Sequence, residues 1–302
     1  MSSSDARRQF ADQGFLCLPG LLTEGEVKAY VGHLERLSGR SREWFAQRRR
    51  GWLPGGLKDA WTRPDGVSRH REFWPLLFHD RLLEAVHDAL GEEACFLQHT
   101  DLHVGFSALT WHRDSVHRRF GEGEDWDETA EPYRLLRVGL YLQGAAEAQF
   151  ALGLVPGSHR VGRIRDVEQR RLDRSARLAG QVRAWLTRRD LAAARAHWVT
   201  TGAGDAILFD PRILHAGTRT RGPKYSVFFA YGVPGAHFDR HYTYYRHLRS
   251  DLGYSTLAPD LVQRLREAGL FAGQRPPARE LKGAWQPPAL QQRLARPFRP
   301  RA

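Results

Sequence analysis

Leu109-Thr110-Trp111-His112-Arg113-Asp114-Ser115 and, about a hundred residues later, Phe209-Asp210-Pro211-Arg212-Ile213-Leu214-His215-Ala216-Gly217 decide how this chain is read. If the first stretch is a strand, side chains alternate faces, so His112 and Asp114 point the same way and Arg113 points opposite. His215 supplies a second imidazole. Two imidazoles and one carboxylate on one face of a metal suit ferrous iron and leave its other face open, whereas a fourth protein ligand would close the site. A His-x-Asp pair alone is equally what a surface histidine beside a solvated aspartate looks like, so the surroundings decide.

Between the two halves lies Gly153-Leu154-Val155-Pro156-Gly157-Ser158-His159, and the chain begins with Phe10-Ala11-Asp12-Gln13-Gly14-Phe15 and Pro19-Gly20-Leu21-Leu22-Thr23-Glu24-Gly25-Glu26-Val27. With these ordered motifs the chain resembles the phytanoyl-CoA hydroxylase-like family of Fe(II)/2-oxoglutarate-dependent oxygenases. The resemblance runs from about Phe10 to Pro234 and leaves the C-terminal segment uncovered. It implies a mainly β fold with helical additions, a double-stranded β-helix (jelly-roll or cupin-like) barrel flanked by α-helices. It also implies a catalytic Fe(II) held by His112, Asp114 and His215, 2-oxoglutarate as co-substrate and O2 as oxidant. Halogenating relatives carry a small residue in place of the carboxylate to admit chloride. Asp114 therefore points to hydroxylation, or to another oxygen-derived oxidation such as desaturation or ring closure.

The co-substrate end departs from the family pattern. The arginine that usually pairs with the distal carboxylate of 2-oxoglutarate would fall at Ser226. Shortening the preceding turn puts Lys224 in its place, with Ser226 on the same face of the strand. A lysine neutralises a carboxylate as a point charge, and a hydroxyl from Ser226 or Thr218 adds a hydrogen bond that the guanidinium fork would have supplied. Arg219 and Arg221 in the turn are the competing cations, and an ordinary basic hairpin turn is the bland alternative. Strand parity nominates Gln98 as a further contact, although a satisfied core glutamine reads as well. Trp111, His117, Trp126, Tyr133, His103 and Phe106 flank the ligands and are candidates for shaping a substrate pocket. Arg137, Gly139, Tyr141 and Gln143 form one face of a strand, lining either the cavity or the solvent.

At 302 residues with 41% hydrophobic residues, the chain has enough apolar material for a sizeable core. One oxygenase domain over residues 1–272 is expected, with a basic helical insertion at about 160–198 and a basic Pro/Arg-rich tail over 273–302. The formal charge is +12, and in the tail seven basic residues face only Glu280. Such a tail reads as a solvated or surface-wrapping extension before it reads as an interaction arm. In the insertion, Leu172, Leu178, Val182, Trp185 and Leu186 keep helical spacing among many arginines. Its arginines, Arg165, Arg170 and Arg171 among them, either form a solvated helix face or overhang the active-site mouth and meet an anionic substrate.

The expected partner is a small molecule, with an anionic group as one option and natural-product tailoring as the setting. Nucleic acid is the weaker alternative, resting on charge alone, and a catalytically silent barrel used for binding is contradicted by the intact triad. No apolar stretch marks a signal peptide or a membrane span, so a cytoplasmic location is expected. Cys17 and Cys95 are too few for a disulfide framework and read as small buried thiols in a reducing compartment.

Local patterns place the remaining elements. Thr23-Glu24-Gly25-Glu26 has the form of a capping box, and Val27, Tyr30, Val31, Leu34 and Leu37 behind it predict a helix packed outside the barrel. Residues 41–71 read as loop with short helices, and residues 74–90 as a second helix. Strands are expected at Ala94–Phe106, Leu109–Ser115, Leu135–Gln143, Ala148–Leu154, Ala206–Phe209 and Tyr225–Gly232.

Overall fold

Alternation along Leu135-Leu136-Arg137-Val138-Gly139-Leu140-Tyr141-Leu142 organises the centre of the molecule. Leu136, Val138, Leu140 and Leu142 are buried in the largest hydrophobic cluster, while Arg137 and Tyr141 on the opposite face line an internal cavity. The structure, a computed structural model, describes residues 3–49, 60–161, 166–182, 191–220, 222–273 and 281–286. Its strands are β1 (Phe15–Leu18), β2 (Trp61–Pro64), β3 (Cys95–Val104), β4 (Leu135–Tyr141), β5 (Leu152–Leu154), β6 (His197–Val199), β7 (Asp205–Phe209), β8 (His215–Gly217) and β9 (Tyr225–Gly232). They form two antiparallel sheets, ordered β1-β7-β4-β9-β3-β2 and β6-β5-β8. Side chains of both sheets line the same cavity: His103, Arg137 and Phe228 from the larger, Leu152 and His215 from the smaller. Two antiparallel sheets with helices around them meet the expectation of a mainly β fold with helical additions, while among the described residues no strand pairing joins one sheet to the other.

The helix announced by the capping box runs Glu24–Ser38. Glu26 N–H donates to Thr23 Oγ1 at 3.3 Å and Thr23 N–H donates to Glu26 Oε2 at 2.8 Å, so each end of the box satisfies an orphan donor of the first turn. Val27, Tyr30, Val31 and Leu34 are its buried stripe, packed into the cluster that also holds Val138, Val227 and Phe229. Gly39 ends it at φ 66°, a left-handed conformation that a residue without Cβ adopts freely.

Several expectations are corrected by the chain's own geometry. Leu109–Ser115 is not a strand: its only ladder contact is an isolated bridge between His112 and His215. Asp114 N–H and Ser115 N–H both donate to Pro211 O, which bends the segment round the 210–214 loop instead of extending it. The strand expected at 148–154 shortens to β5, because Ala145–Ala148 forms one helical turn closed by Gln149 at φ 50°. The helix expected at 74–90 is a 3-10 segment, Arg71–Phe78 with Pro75 inside it, followed by an α-helix at Asp80–Leu90. Proline has no N–H to continue an α ladder. Cys95 is buried as expected, but Cys17, on the edge strand β1, is exposed. Helices at Ser3–Gln13, Ala236–Thr243 and Pro259–Glu267 add to those foreseen, and Leu261, Leu265 and Leu270 join the main cluster. No helix of the described residues is long and apolar enough to cross a membrane.

Thr23→Ala removes the accepting half of the capping box. It is expected to cost about 1 kcal/mol of unfolding free energy, read as a lower urea midpoint at unchanged slope.

Candidate metal centre and its cavity

The two remote halves of the triad meet through backbone first. His112 N–H donates to His215 O at 2.9 Å and His215 N–H returns the bond to His112 O at 3.0 Å. The Val-Pro-Gly-Ser-His motif braces this junction: Gly157 turns at φ 72°, and Ser158 Oγ accepts from Leu214 N–H at 2.8 Å. Fully buried Arg113 reaches across as well, donating from Nε to Arg212 O at 2.7 Å and pairing with Asp173.

Within this frame His112, Asp114 and His215 each offer a ligand atom, and these atoms lie within 4.8 Å of one another. His112 Nδ1 is bonded to Thr110 O at 2.8 Å and His215 Nδ1 to Ile213 O at 3.0 Å. Those carbonyls can only accept, so both rings carry the proton on Nδ1 and present bare Nε2 atoms, the form a metal needs. The Nε2 atoms lie 3.7 and 3.8 Å from the Asp114 carboxylate oxygens. Burial, then the neighbouring His112, pushes His215 down to about 3. Burial likewise lowers His112, against the pull of Asp114. Neutral imidazoles result at any physiological pH. For Asp114, burial opposes the charge, but Arg137 and, after it, the neighbouring His215, His112 and His99 together outweigh burial and hold the carboxyl well below the usual range. Two neutral nitrogens and one ionised oxygen donor therefore fit a divalent transition metal.

Arg137 is the main site residue that sequence reasoning left unassigned. Its guanidinium donates to Asp114 Oδ2 at 2.6 Å and to Asp101 Oδ2 at 2.7 Å, tying the metal ligand to a second buried carboxylate. Of the face that Arg137 shares with Gly139, Tyr141 and Gln143, Arg137 and Tyr141 line the cavity, while Gln143 is buried elsewhere and accepts from Tyr225 N–H. The cavity holds about 430 Å3 and is lined by all three residues of the triad. One end is formed by Phe106, Phe150, Phe228 and Lys224, the other by His99, Arg118, Tyr245, Arg249 and Trp285.

The sequence candidates divide accordingly. Lys224 lies in the cavity wall, donating from Nζ to Phe106 O at 2.8 Å and to Ser226 Oγ at 3.2 Å, with the Phe150 ring centroid 4.4 Å away. Burial alone pushes its ammonium down to about 7. His103 and Phe106 also line the cavity. Gln98 does not: its amide donates to Asp65 Oδ1 and Ser255 O on the opposite face of β3, whose odd-numbered residues His99, Asp101 and His103 are the ones turned inward. Thr218 Oγ1 is engaged by Ala151 N–H at 2.9 Å. Thr218 and exposed Arg219 border a wider, separate cleft that also includes Gln149 and Thr201. Arg221 and Arg165 lie outside the described residues.

Of the remaining pocket candidates, Trp111 packs with Leu172 and Leu214, Trp126 against Phe120 and Arg113, and Tyr133 beneath Arg212. His117 bonds Asp125 and Lys282 O. None of these four lines the cavity. The insertion helix, Asp166–Val182, turns Leu172 and Asp173 toward the Arg113 side of the junction, and no described residue of 160–198 lines the cavity. Arg170 and Arg171 are exposed. The side chains of Leu178, Val182, Trp185 and Leu186 lie outside the described residues.

With this geometry in place, the comparisons with known proteins are decisive for the family. Residues 10–226 match the phytanoyl-CoA dioxygenase family, and the chain belongs to it, a family of Fe(II)/2-oxoglutarate-dependent oxygenases. None of the curated proteins matches the sequence. Among solved structures the fold is similar to that of HygX from Streptomyces hygroscopicus with iron bound, at 20% identity and TM-score 0.52, covering 75% of this chain and 86% of that one. It is also similar to SnoK, the α-ketoglutarate-dependent carbocyclase of nogalamycin biosynthesis, at 19% identity and TM-score 0.51, covering 80% and 90%. A third similar fold is SnoN, the α-ketoglutarate-dependent epimerase of the same biosynthesis, at 16% identity and TM-score 0.50, covering 76% and 81%.

Lys224 carries a pH signature of its own. Its folded pKa of about 7 lies below the unfolded value, so its burial destabilises the protein increasingly as pH falls from about 10 to 7, and constantly below that. The stability of Lys224→Met minus that of the wild type is therefore expected to rise by a few kcal/mol across that window and to level off beneath it, measured by denaturant unfolding at each pH.

Proposed function

We propose that this protein is a non-haem iron oxygenase that hydroxylates a small-molecule substrate, with His112, Asp114 and His215 as the metal ligands and Lys224 as the anchor for 2-oxoglutarate. One observation carries the reading: two Nε2 atoms and the Asp114 carboxylate converge in the lining of a cavity that also holds a buried lysine without a carboxylate partner among the described residues. On this reading the double-stranded β-helix is the fold that the two antiparallel sheets build. Residues up to about 272 form one oxygenase domain, supported by the hydrophobic cluster that runs from Ala6 to Leu270.

When bound, iron and 2-oxoglutarate supply the oxidising chemistry from O2 as the co-substrate is decarboxylated to succinate. The chain's own residues do the rest. Thr110 O and Ile213 O fix the imidazole tautomers, and Arg137 keeps Asp114 ionised and aimed. Lys224 pairs with the distal carboxylate while Ser226 Oγ steadies its ammonium. Phe106, Phe150 and Phe228 keep water from that pair, which strengthens it. The carboxylate at 114 favours hydroxylation over halogenation, and the anabolic settings of SnoK and SnoN favour natural-product tailoring.

Anaerobic Fe(II) with 2-oxoglutarate is expected to give a visible charge-transfer band near roughly 500 nm, absent in His112→Ala; no band in wild type, or an undiminished one in the variant, rejects the iron assignment. Lys224→Ala is expected to weaken 2-oxoglutarate by at least about tenfold, the scale of a lost charge-assisted contact. Because a bound carboxylate raises the lysine pKa from about 7, wild-type affinity should be flat below pH 7 and fall by up to about tenfold per unit above it. With a compound that triggers succinate formation, 18O2 should leave one labelled oxygen in the product; an unlabelled, dehydrogenated product identifies desaturation or ring closure.

A further inference from the structure

On the side of the cavity that carries Arg118 and Arg249, Trp285 of the C-terminal segment joins the lining. Trp285 N–H donates to Val116 O at 3.0 Å, and Trp285 O accepts from Tyr244 Oη at 2.6 Å. His117 Nε2 holds Lys282 O at 3.0 Å, while Leu281 and Ala284 pack on the Val116 and Tyr244 cluster. The Trp285 ring thereby becomes part of the cavity wall, with the Arg118 guanidinium carbon 3.7 Å over its centroid. Tyr244 and Tyr245 belong to a five-residue π-helical turn, Tyr244–Leu248, a rare geometry that presents Tyr245 and, just beyond it, Arg249 to the same space.

The cavity's cations are not equivalent. Arg137 is taken by Asp101 and Asp114. Arg249 is held by both carboxylate oxygens of Asp251. Lys224 lies at the co-substrate end. Arg118 alone among the cavity arginines has no carboxylate partner among the described residues, and its Nε is buried without a hydrogen-bond acceptor. A buried Nε–H without an acceptor costs free energy, and contact with the Trp285 indole leaves the other N–H donors of this half-buried side chain for an anionic ligand.

We infer that Arg118 is a substrate anchor that receives a carboxylate, phosphate or sulfonate group of the primary substrate, with Trp285 of the C-terminal segment as the positioning residue that holds the guanidinium toward the iron. The inference rests on the functional reading above and adds the substrate class to it. It also moves anion recognition away from the arginines of the insertion, none of whose described residues lines the cavity.

The test uses full-length protein and benzenesulfonate, a poor metal ligand, with neutral benzenesulfonamide as control. Both are titrated calorimetrically into the Fe(II)- and 2-oxoglutarate-loaded protein under anaerobic conditions, and in parallel into metal-free protein. Wild type is expected to bind the sulfonate at least about tenfold more tightly than the sulfonamide, the scale of one charge-assisted pair. Arg118→Gln should erase that preference, Arg118→Lys should restore part of it, and Trp285→Leu should weaken the sulfonate several-fold while leaving the sulfonamide unchanged. Retained preference in Arg118→Gln, equal binding of both probes by wild type, or no binding of either overturns the assignment. Inorganic sulfate displacing the probe at equal affinity overturns it too, by marking a simple ion site. The iron–co-substrate band, recorded on the same samples, separates this failure from failure of the oxygenase reading, since the metal-free titration judges Arg118 whether or not the band forms.

Discussion

Two backbone hydrogen bonds exchanged between His112 and His215 hold everything else at the site in place. They join segments about a hundred residues apart, and neither segment is rigid by itself: one is an irregular bend, the other a three-residue strand. The brace around them explains why particular residues stand near the ligands. Pro211 O takes the N–H groups of Asp114 and Ser115, Ser158 Oγ takes Leu214 N–H, and Arg113 bonds the Arg212 and Ser158 carbonyls from a fully buried position. A metal site needs its donors held to within a fraction of an ångström, and here that precision comes from main-chain contacts supported by buried polar side chains.

The cavity is electrostatically demanding. Two carboxylates and Arg137 share one buried network, in which Arg137 offsets much of the desolvation of Asp114 and the neighbouring histidines add to that offset. Without Arg137, Asp101 and Asp114 would face each other with no counter-ion, and one of them would take up a proton. At one end of the cavity a lysine is pressed toward neutrality; at the other an arginine stacks on an indole. On the proposed function, Lys224 and Arg118, with ionised Asp114 lining the same cavity, would each meet an anionic ligand of one metal.

Much of this was legible in the residues. The triad could be read because the chemistry dictates its residue types and the flanking motifs fix their order, and the capping box at Thr23 could be read because it is entirely local. Lys224, just before β9, and Ser226 on it were legible as a same-face pair, and Lys224 Nζ does donate to Ser226 Oγ. What was not legible depends on packing across the chain. Parity left Gln98 open between a co-substrate contact and a satisfied core glutamine; with the register of β3 irregular between Leu97 and Asp101, it is the core glutamine, and His99, Asp101 and His103 face the cavity. The bend at 109–115 depends on Pro211, a partner no local pattern announces. Trp285 sits in a stretch whose composition reads as a solvated or surface-wrapping extension; its role comes from docking on Val116 and Tyr244, a site that a linear reading cannot place.

The account stands most directly on where 2-oxoglutarate lies. An anaerobic crystal structure with Fe(II) and 2-oxoglutarate should place the metal on His112, Asp114 and His215, and the distal carboxylate within about 3 Å of Lys224 Nζ, at the Phe106 and Phe150 end of the cavity. A co-substrate whose distal carboxylate instead pairs with Arg118 at the Trp285 end, leaving Lys224 on Phe106 O, would contradict it.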